Sequence, residues 1–434
     1  PRREPGTGKD GGIAGLAGGG AIGNLAPSAD RKGFQMTGPL HGIRIIDLTS
    51  NVAGPLATMI LADQGAEVIK IEAPAGGDAT RTGANRRAGF AAGFLNNNRN
   101  KRSLALDLKK PGALEVVLRL AAGADAFVQN FRPGVAERLG LGEEAVRAAA
   151  PTIVYVSISG FGEKGPFAQR PAYDPVIQGF SGLASVQAGS DEVRPRLVRT
   201  ILPDKLTAIT AALFARQRTG AGQHVRLSML EAVVAFLWAS DMSGQTFAGD
   251  EPVRQEAASM IDLIYETADG YITVAALTDR QWAGLAEVLQ RPDFLTDPRF
   301  KTPALRQQNI EERLRLTQEA LLARPAGEWL ARLERVGVPC GPVLTRNDMI
   351  HHPQVAALGL VAEYDHPAAG RLRQARPAAR FSETPAEIRR GAPALGEHTE
   401  EILAELGYSA TGIAALKTEG AVSSGPSTGS GGGR

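Results

Sequence analysis

Two stretches of this chain place acids where they could do covalent work. In ILPDKLTAITAAL, Asp204 stands where a helix should begin; in RPAYDPVIQGFSGL, the couple Tyr173-Asp174 precedes a proline. Aspartate is a favoured N-cap because its carboxylate accepts the free N–H groups of the first helical turn. Asp174 followed by Pro175 fits the same capping role, with proline suited to the first helical position. Spacing alone therefore reads both acids as structural. The same physics also allows chemistry. The helix dipole and first-turn N–H groups keep such a carboxylate ionised. An ionised carboxylate beside a bound thioester can attack it to form an anhydride, and nearby N–H groups can hold the oxyanion that develops. Tyr173 would donate a hydrogen bond to a substrate carbonyl or carboxylate.

Other chemistries lack their residues. His351-His352 are adjacent and His41, His224, His366 and His398 are scattered, with no H-E-x-x-H or similar metal spacing, so no metal site is expected. The single cysteine, Cys340, permits neither an internal disulfide nor a thiolate zinc cluster. No G-x-S-x-G occurs, which argues against a serine hydrolase. Gly18, Gly20 and Gly23 satisfy G-x-G-x-x-G, but no strand precedes them, as a dinucleotide loop would require.

Composition sets the class. The chain has 434 residues, 43% of them hydrophobic, enough for a large core. Lys and Arg total 48 against 46 Asp and Glu, a balance that argues against a bulk nucleic-acid partner. No apolar run approaches the roughly 20 residues of a membrane span, and the N-terminus lacks the pattern of a secretory signal. A cytoplasmic enzyme with no membrane partner is the expectation.

The elements that must position these acids alternate. Strands are expected at 43–48, 67–72, 103–108, 125–129, 152–158 and 223–229, and helices at 55–64, 111–122, 174–185 and 204–218. Repeated βαβ units imply an α/β fold with a largely parallel sheet and helices on both faces. Residues 1–35, rich in Gly and Ala, read as a flexible leader, with Met36 as a natural start. The remaining segments read as a large domain over 36–230, a linker over 231–262, a small α+β domain over 263–345, a C-terminal segment over 346–415 returning to the large domain, and a disordered tail over 416–434. Arg99, Lys101, Arg102, Lys109, Arg132 and Arg138 sit near strand ends, where a parallel sheet binds ligands, and could grip phosphates.

The segments LTSNVAGP, GAEVIKIEAPAGGD, NKRSLALDLK, NFRPGVAERLGL, YDPVIQGFSG and RTGAGQHVRLSM together make residues 38–410 resemble the family III CoA-transferases, the group that includes formyl-CoA transferase, carnitine CoA-transferase and 2-methylacyl-CoA racemase. The resemblance implies a CoA-transferase that carries CoA from an acyl-CoA thioester to a free carboxylic acid through aspartyl anhydride and aspartyl-CoA intermediates. It assigns the nucleophile to Asp204 and neighbouring active-site positions to Asp174 and Tyr173. CoA-contacting positions fall on Val52, Ala53, Leu106, Lys109, Asn130, Phe131 and Arg138, with Arg132 beside them. It implies no permanently bound cofactor, coenzyme A and acyl-CoA being substrates. The implied fold is a Rossmann-like large domain completed by the C-terminal segment, plus a small domain, in an interlocked homodimer. The racemase branch has a histidine where this chain has Tyr173; tyrosine, with a reference pKa of about 10, is a poor base near neutrality. The alternatives are thus an acyl-CoA racemase or a non-catalytic CoA-binding protein. An arginine that contacts CoA in the formyl-transferring relatives is Ala73 here, and their glycine run has no counterpart over 240–262.

Overall fold

Short runs rich in Val, Ile and Leu, buried on both faces, favour strands at the centre of a parallel sheet. The chain has these runs at β1 (Arg44–Asp47), β2 (Glu67–Glu72), β3 (Lys101–Leu106), β4 (Ala126–Gln129) and β5 (Val154–Ser159), with a half-buried edge strand at β6 (His224–Ser228). The computed structural model describes residues 38–425, except 84, 190–191, 201–209, 239–240, 243–244, 247 and 250–261. The expected leader over 1–35 lies outside the described residues, as does Asp204. Among the described residues, these six strands and a late one, β7 (Val422–Ser423), form one sheet in the order β7-β3-β2-β1-β4-β5-β6. All neighbours are parallel except β7, which runs antiparallel to β3. Without β7 the order is that of a dinucleotide-binding sheet, and it reverses between β1 and β4.

Helices cover both faces. On one, α1 (Ala53–Asp63) packs Ala57 and Leu61 against Ile45, Val68 and Val128, with Leu213 of the later helix Thr210–Thr219 in the same core. On the other, α2 (Pro111–Ala122) packs Val116, Val117 and Leu120 against Ile46, Ile69 and Phe127. That core is finished from far along the chain, by Ile402 and Leu403 of helix Thr399–Glu405 and by Ile413 and Leu416 of helix Ala410–Thr418.

A separate core surrounds an antiparallel sheet of Ile264–Glu266, Tyr271–Val274 and Cys340–Pro342. Trp282 stacks on Phe294 there with centroids 5.2 Å apart, and helix Asp279–Val288 starts at a capping box of Thr278 and Gln281. After it, a hairpin of Val361–His366 and Gly370–Ala375 returns to the large sheet's flank, where Gln374 donates to the Leu95 carbonyl at 2.9 Å and Arg99 to the Ala375 carbonyl at 2.8 Å.

The structure departs from the expected elements in three places. The helix expected over 174–185 is two, α3 (Asp174–Phe180) and α4 (Leu183–Ala188), broken at Gly182, whose φ of 87° is left-handed. The linker expected from residue 231 begins as helix α5 (Met229–Trp238), which buries Met229, Val233 and Leu237 against Ile177. The tail expected to be disordered from residue 416 is ordered to residue 425, because its Ala421 and Val422 are core residues and β7 closes the sheet edge.

Candidate active site

A cavity of about 200 Å³ opens beyond the carboxyl ends of β1, β4 and β5, where the strand order reverses. Open α/β sheets bind ligands at that switch point, because loops there diverge to opposite faces and leave a crevice.

The wall after β1 contributes Ser50, Asn51 and Ala53. A buried charge network fixes this loop. Lys70 donates to the Thr49 carbonyl at 2.7 Å and pairs with Asp78 at 3.0 Å. Asp78 in turn accepts the Asn51 N–H at 3.3 Å, where the backbone is left-handed with φ 66°. Asp47 accepts the Thr49 N–H at 2.9 Å and pairs with Lys101 at 2.9 Å. Burial by itself would raise the Asp47 carboxyl, but Lys101 and Lys70 outweigh it and hold the group well below the usual carboxylate range. Gly54 is required here: a Cβ would lie 2.3 Å from the Thr49 Cβ.

The opposite wall follows β4 and contributes Asn130, Phe131, Arg132 and Pro133. Asn130 ties the two walls together, accepting the Ser50 N–H and donating to the Ser50 carbonyl, each at 2.9 Å. The third wall runs from the end of β5 to the start of α3. Gly160 allows its close approach, since a Cβ there would lie 2.2 Å from that of Ala172. Pro171, Ala172 and Tyr173 follow, lining the cavity. Tyr173 is 69% exposed, whereas Asp174, the first residue of α3, is 3% exposed. Gln178, one turn on, donates to Asp174 at 2.5 Å and to the Thr200 carbonyl at 3.1 Å.

Of the residues singled out in the sequence, Ala53, Asn130, Phe131, Arg132 and Tyr173 thus converge on one cavity. Asp174 follows Tyr173 directly in the chain but is not itself among the residues that line the cavity. Val52 is the N-cap of α1, between Asn51 and Ala53. Leu106, Lys109 and Arg138 do not line the cavity. Leu106 is fully buried at the carboxyl end of β3, Lys109 is exposed on the turn after it, and Arg138 is exposed at the end of the helical turn Val135–Arg138 that follows β4. Three cations expected near phosphates are instead structural. Arg99 pairs with Asp63 at 2.7 Å, Lys101 is buried against Asp47, and Arg102 pairs with Glu67 at 2.7 Å and with Glu401 and Glu405 at 2.8 Å. Arg170 went unremarked in the sequence and lines the cavity; its only signal was its place three residues before Tyr173. Among the described residues no His, Cys, Asp and Glu cluster could hold a metal. Burial, then Glu334, raises the Cys340 thiol, which leaves it a poor nucleophile.

Residues 40–399 match the family model described as CoA-transferase family III. The chain belongs to that family. It is 36% identical over 421 residues to human succinyl-CoA:glutarate CoA-transferase, covering 94% of this chain and 95% of the relative. It is 34% identical to succinate–glutarate CoA-transferase of Agrobacterium fabrum, covering 85% of this chain and 96% of the relative. A CAIB/BAIF family protein from Brucella suis has the same fold, with a TM-score of 0.75 and 32% identity over 86% of this chain and all of that one. As a member of family III, the protein is a transferase of coenzyme A, with CoA thioesters as its substrates. No helix among the described residues is long and apolar enough to cross a membrane.

Proposed function

We propose that the protein moves coenzyme A between dicarboxylic acids through a covalently acylated aspartate, and that this aspartate is Asp174. The observation that carries the reading is the placement of Asp174: a buried carboxylate in the first turn of α3, held by Gln178 and directly following the cavity-lining Tyr173. A carboxylate placed there can attack a thioester carbonyl as a nucleophile. Asp204, to which the resemblance assigned this role, lies outside the described residues. The dicarboxylic substrates rest on the printed names of the human and Agrobacterium relatives.

The steps balance without water or net proton transfer. An Asp174 oxygen attacks the thioester carbonyl of the donor, forming a mixed anhydride and expelling CoA thiolate. The thiolate attacks the aspartyl carbonyl, giving an enzyme-bound CoA thioester and releasing the donor acid. The acceptor carboxylate attacks that thioester to form a second anhydride and free the thiolate again. The thiolate then attacks the acceptor's carbonyl, and the new acyl-CoA leaves with Asp174 regenerated. Tyr173 donates to the oxyanions that form. Val52, Ala53, Asn130, Phe131 and Arg132 hold the thiol end of CoA at the switch point, while the exposed Lys109 and Arg138, farther along the same edge of the sheet, meet its nucleotide end.

The active form is a homodimer, interlocked as the family resemblance implies. Its support is apolar surface on neighbouring helices: Val176 and Phe180 of α3 and Phe236 and Trp238 of α5 are each more than 40% exposed. Turnover of the variants D174A and D204A separates the two acids. Asp174→Ala lowers transfer by at least about a thousandfold while CoA still binds, and Asp204→Ala retains transfer. The reverse pattern would sink the assignment of Asp174.

A further inference from the structure

The cavity wall is one-sided in charge. Among the described residues it carries two guanidinium groups, Arg132 and Arg170, and no aspartate or glutamate. Anionic ligands are therefore favoured beyond the one carboxylate or thioester that reacts. The two arginines differ in how they are held. Arg132 follows Asn130 and Phe131 on the wall after β4. Arg170 sits over Phe167, its Cζ 3.8 Å from the ring centroid. Phe167 is itself fixed by Phe161 at 5.3 Å and Phe180 at 4.9 Å between centroids. A guanidinium held over a ring by this cation–π contact, and exposed to solvent, can still grip a carboxylate with two parallel hydrogen bonds.

Position matters as much as charge. Arg170 is followed by Pro171, which restricts φ at that step, and then by Ala172, whose contact with Gly160 locks the segment to the end of β5. The chain then reaches Tyr173 and Asp174. Arg170 is thus held on the cavity rim a short, constrained span of chain before Asp174.

We propose that Arg170 is the specificity-determining residue of this transferase, binding the distal carboxylate of a dicarboxylic substrate while the proximal one reacts. The inference rests on the reading of the protein as a transferase of dicarboxylic acids and adds the residue that selects them. A single fixed guanidinium distinguishes a diacid from a monoacid of equal length, because the monoacid leaves it unpaired and offers only a methyl group in return.

The test compares glutarate with pentanoate as acceptors, with kcat/KM for each acceptor read at saturating succinyl-CoA so that the donor step is common to both, in wild type, Arg170→Gln and Arg170→Lys. Isothermal titration with CoA on each variant shows that the fold and the CoA site persist. The expected result is a wild type that favours glutarate, a loss of about 100-fold in kcat/KM for glutarate in Arg170→Gln, an unchanged value for pentanoate, and partial rescue in Arg170→Lys. Equal losses for the two acids, or none, in an active enzyme would overturn the role of Arg170 alone. A wild type that passes CoA to neither acid would overturn the proposed function along with it.

Discussion

Asp174 and its neighbours show what a single sequence can and cannot disclose at the scale of the residue. Tyr173, Asn130, Phe131, Arg132 and Ala53 were legible through their motifs, and they line one cavity. Arg99, Lys101 and Arg102 read in sequence as solvated or phosphate-facing cations, since a cation in a buried ion pair looks the same there; only the fold brings Asp63, Asp47 and Glu401 beside them. Arg170 was passed over because nothing in its own spacing distinguishes it; its role depends on Phe167, Phe161 and Phe180 converging beneath it. Gly160 offers a residue-scale prediction. Its missing side chain admits Ala172 at a distance no real Cβ pair tolerates, so Gly160→Ala must push the α3 segment outward. The expected cost is about 1–3 kcal/mol of stability, as for other overpacked sites, with a fall in kcat exceeding the rise in KM. Urea unfolding and steady-state kinetics on the same preparation check both; a neutral substitution would mean that the third wall is not held as described.

At the scale of the element, the loop after β1 is shaped by charges from two other strands and the segment after β2. Lys70 and Lys101 reach it from β2 and β3, and Asp78 from beyond β2. Burial alone would raise the carboxyls of Asp78 and Glu72, but Lys70 lowers the first and Arg81 the second. With Asp47 they are depressed in the folded state, so the unfolded chain binds more protons over the acid range. Their stabilisation is present above the unfolded carboxylate values of about 4 and is lost as pH falls below them. The urea midpoint should therefore drop steeply between about pH 5 and pH 3. Asp78→Asn, which leaves Lys70 buried without its partner, should cost about 3 kcal/mol at neutral pH and flatten the acid limb. A variant as acid-sensitive as wild type would contradict that linkage. Helix α5 illustrates why another element was missed. MLEAVVAFLW is apolar nearly throughout, so no 3.6-residue stripe stands out, and its inward face appears only once Val233 and Leu237 meet Ile177.

At the scale of the molecule, the parallel sheet was legible because its strands are short apolar runs separated by helices with clear starts. Its closure was not. The strand Val422–Ser423 is too short to announce itself, and it is ordered by pairing with Leu106 and Ala105 more than 300 residues earlier. Removing residues 409–434 should therefore expose the edge of β3 and the core around Leu120, and the shortened chain is expected to unfold at lower urea and to aggregate. The exposed apolar residues of α3 and α5 predict a dimer that persists on dilution to nanomolar concentration in analytical ultracentrifugation; a monomer that retained activity would remove the interlocked arrangement. The measurement closest to the central claim is hydroxylamine trapping during turnover, with mass mapping of the modified peptide. Transfer through Asp174 predicts a hydroxamate on the tryptic peptide spanning residues 165–196, formed only when acyl-CoA is present. A hydroxamate on the peptide containing Asp204, or none under conditions of active exchange, would contradict it.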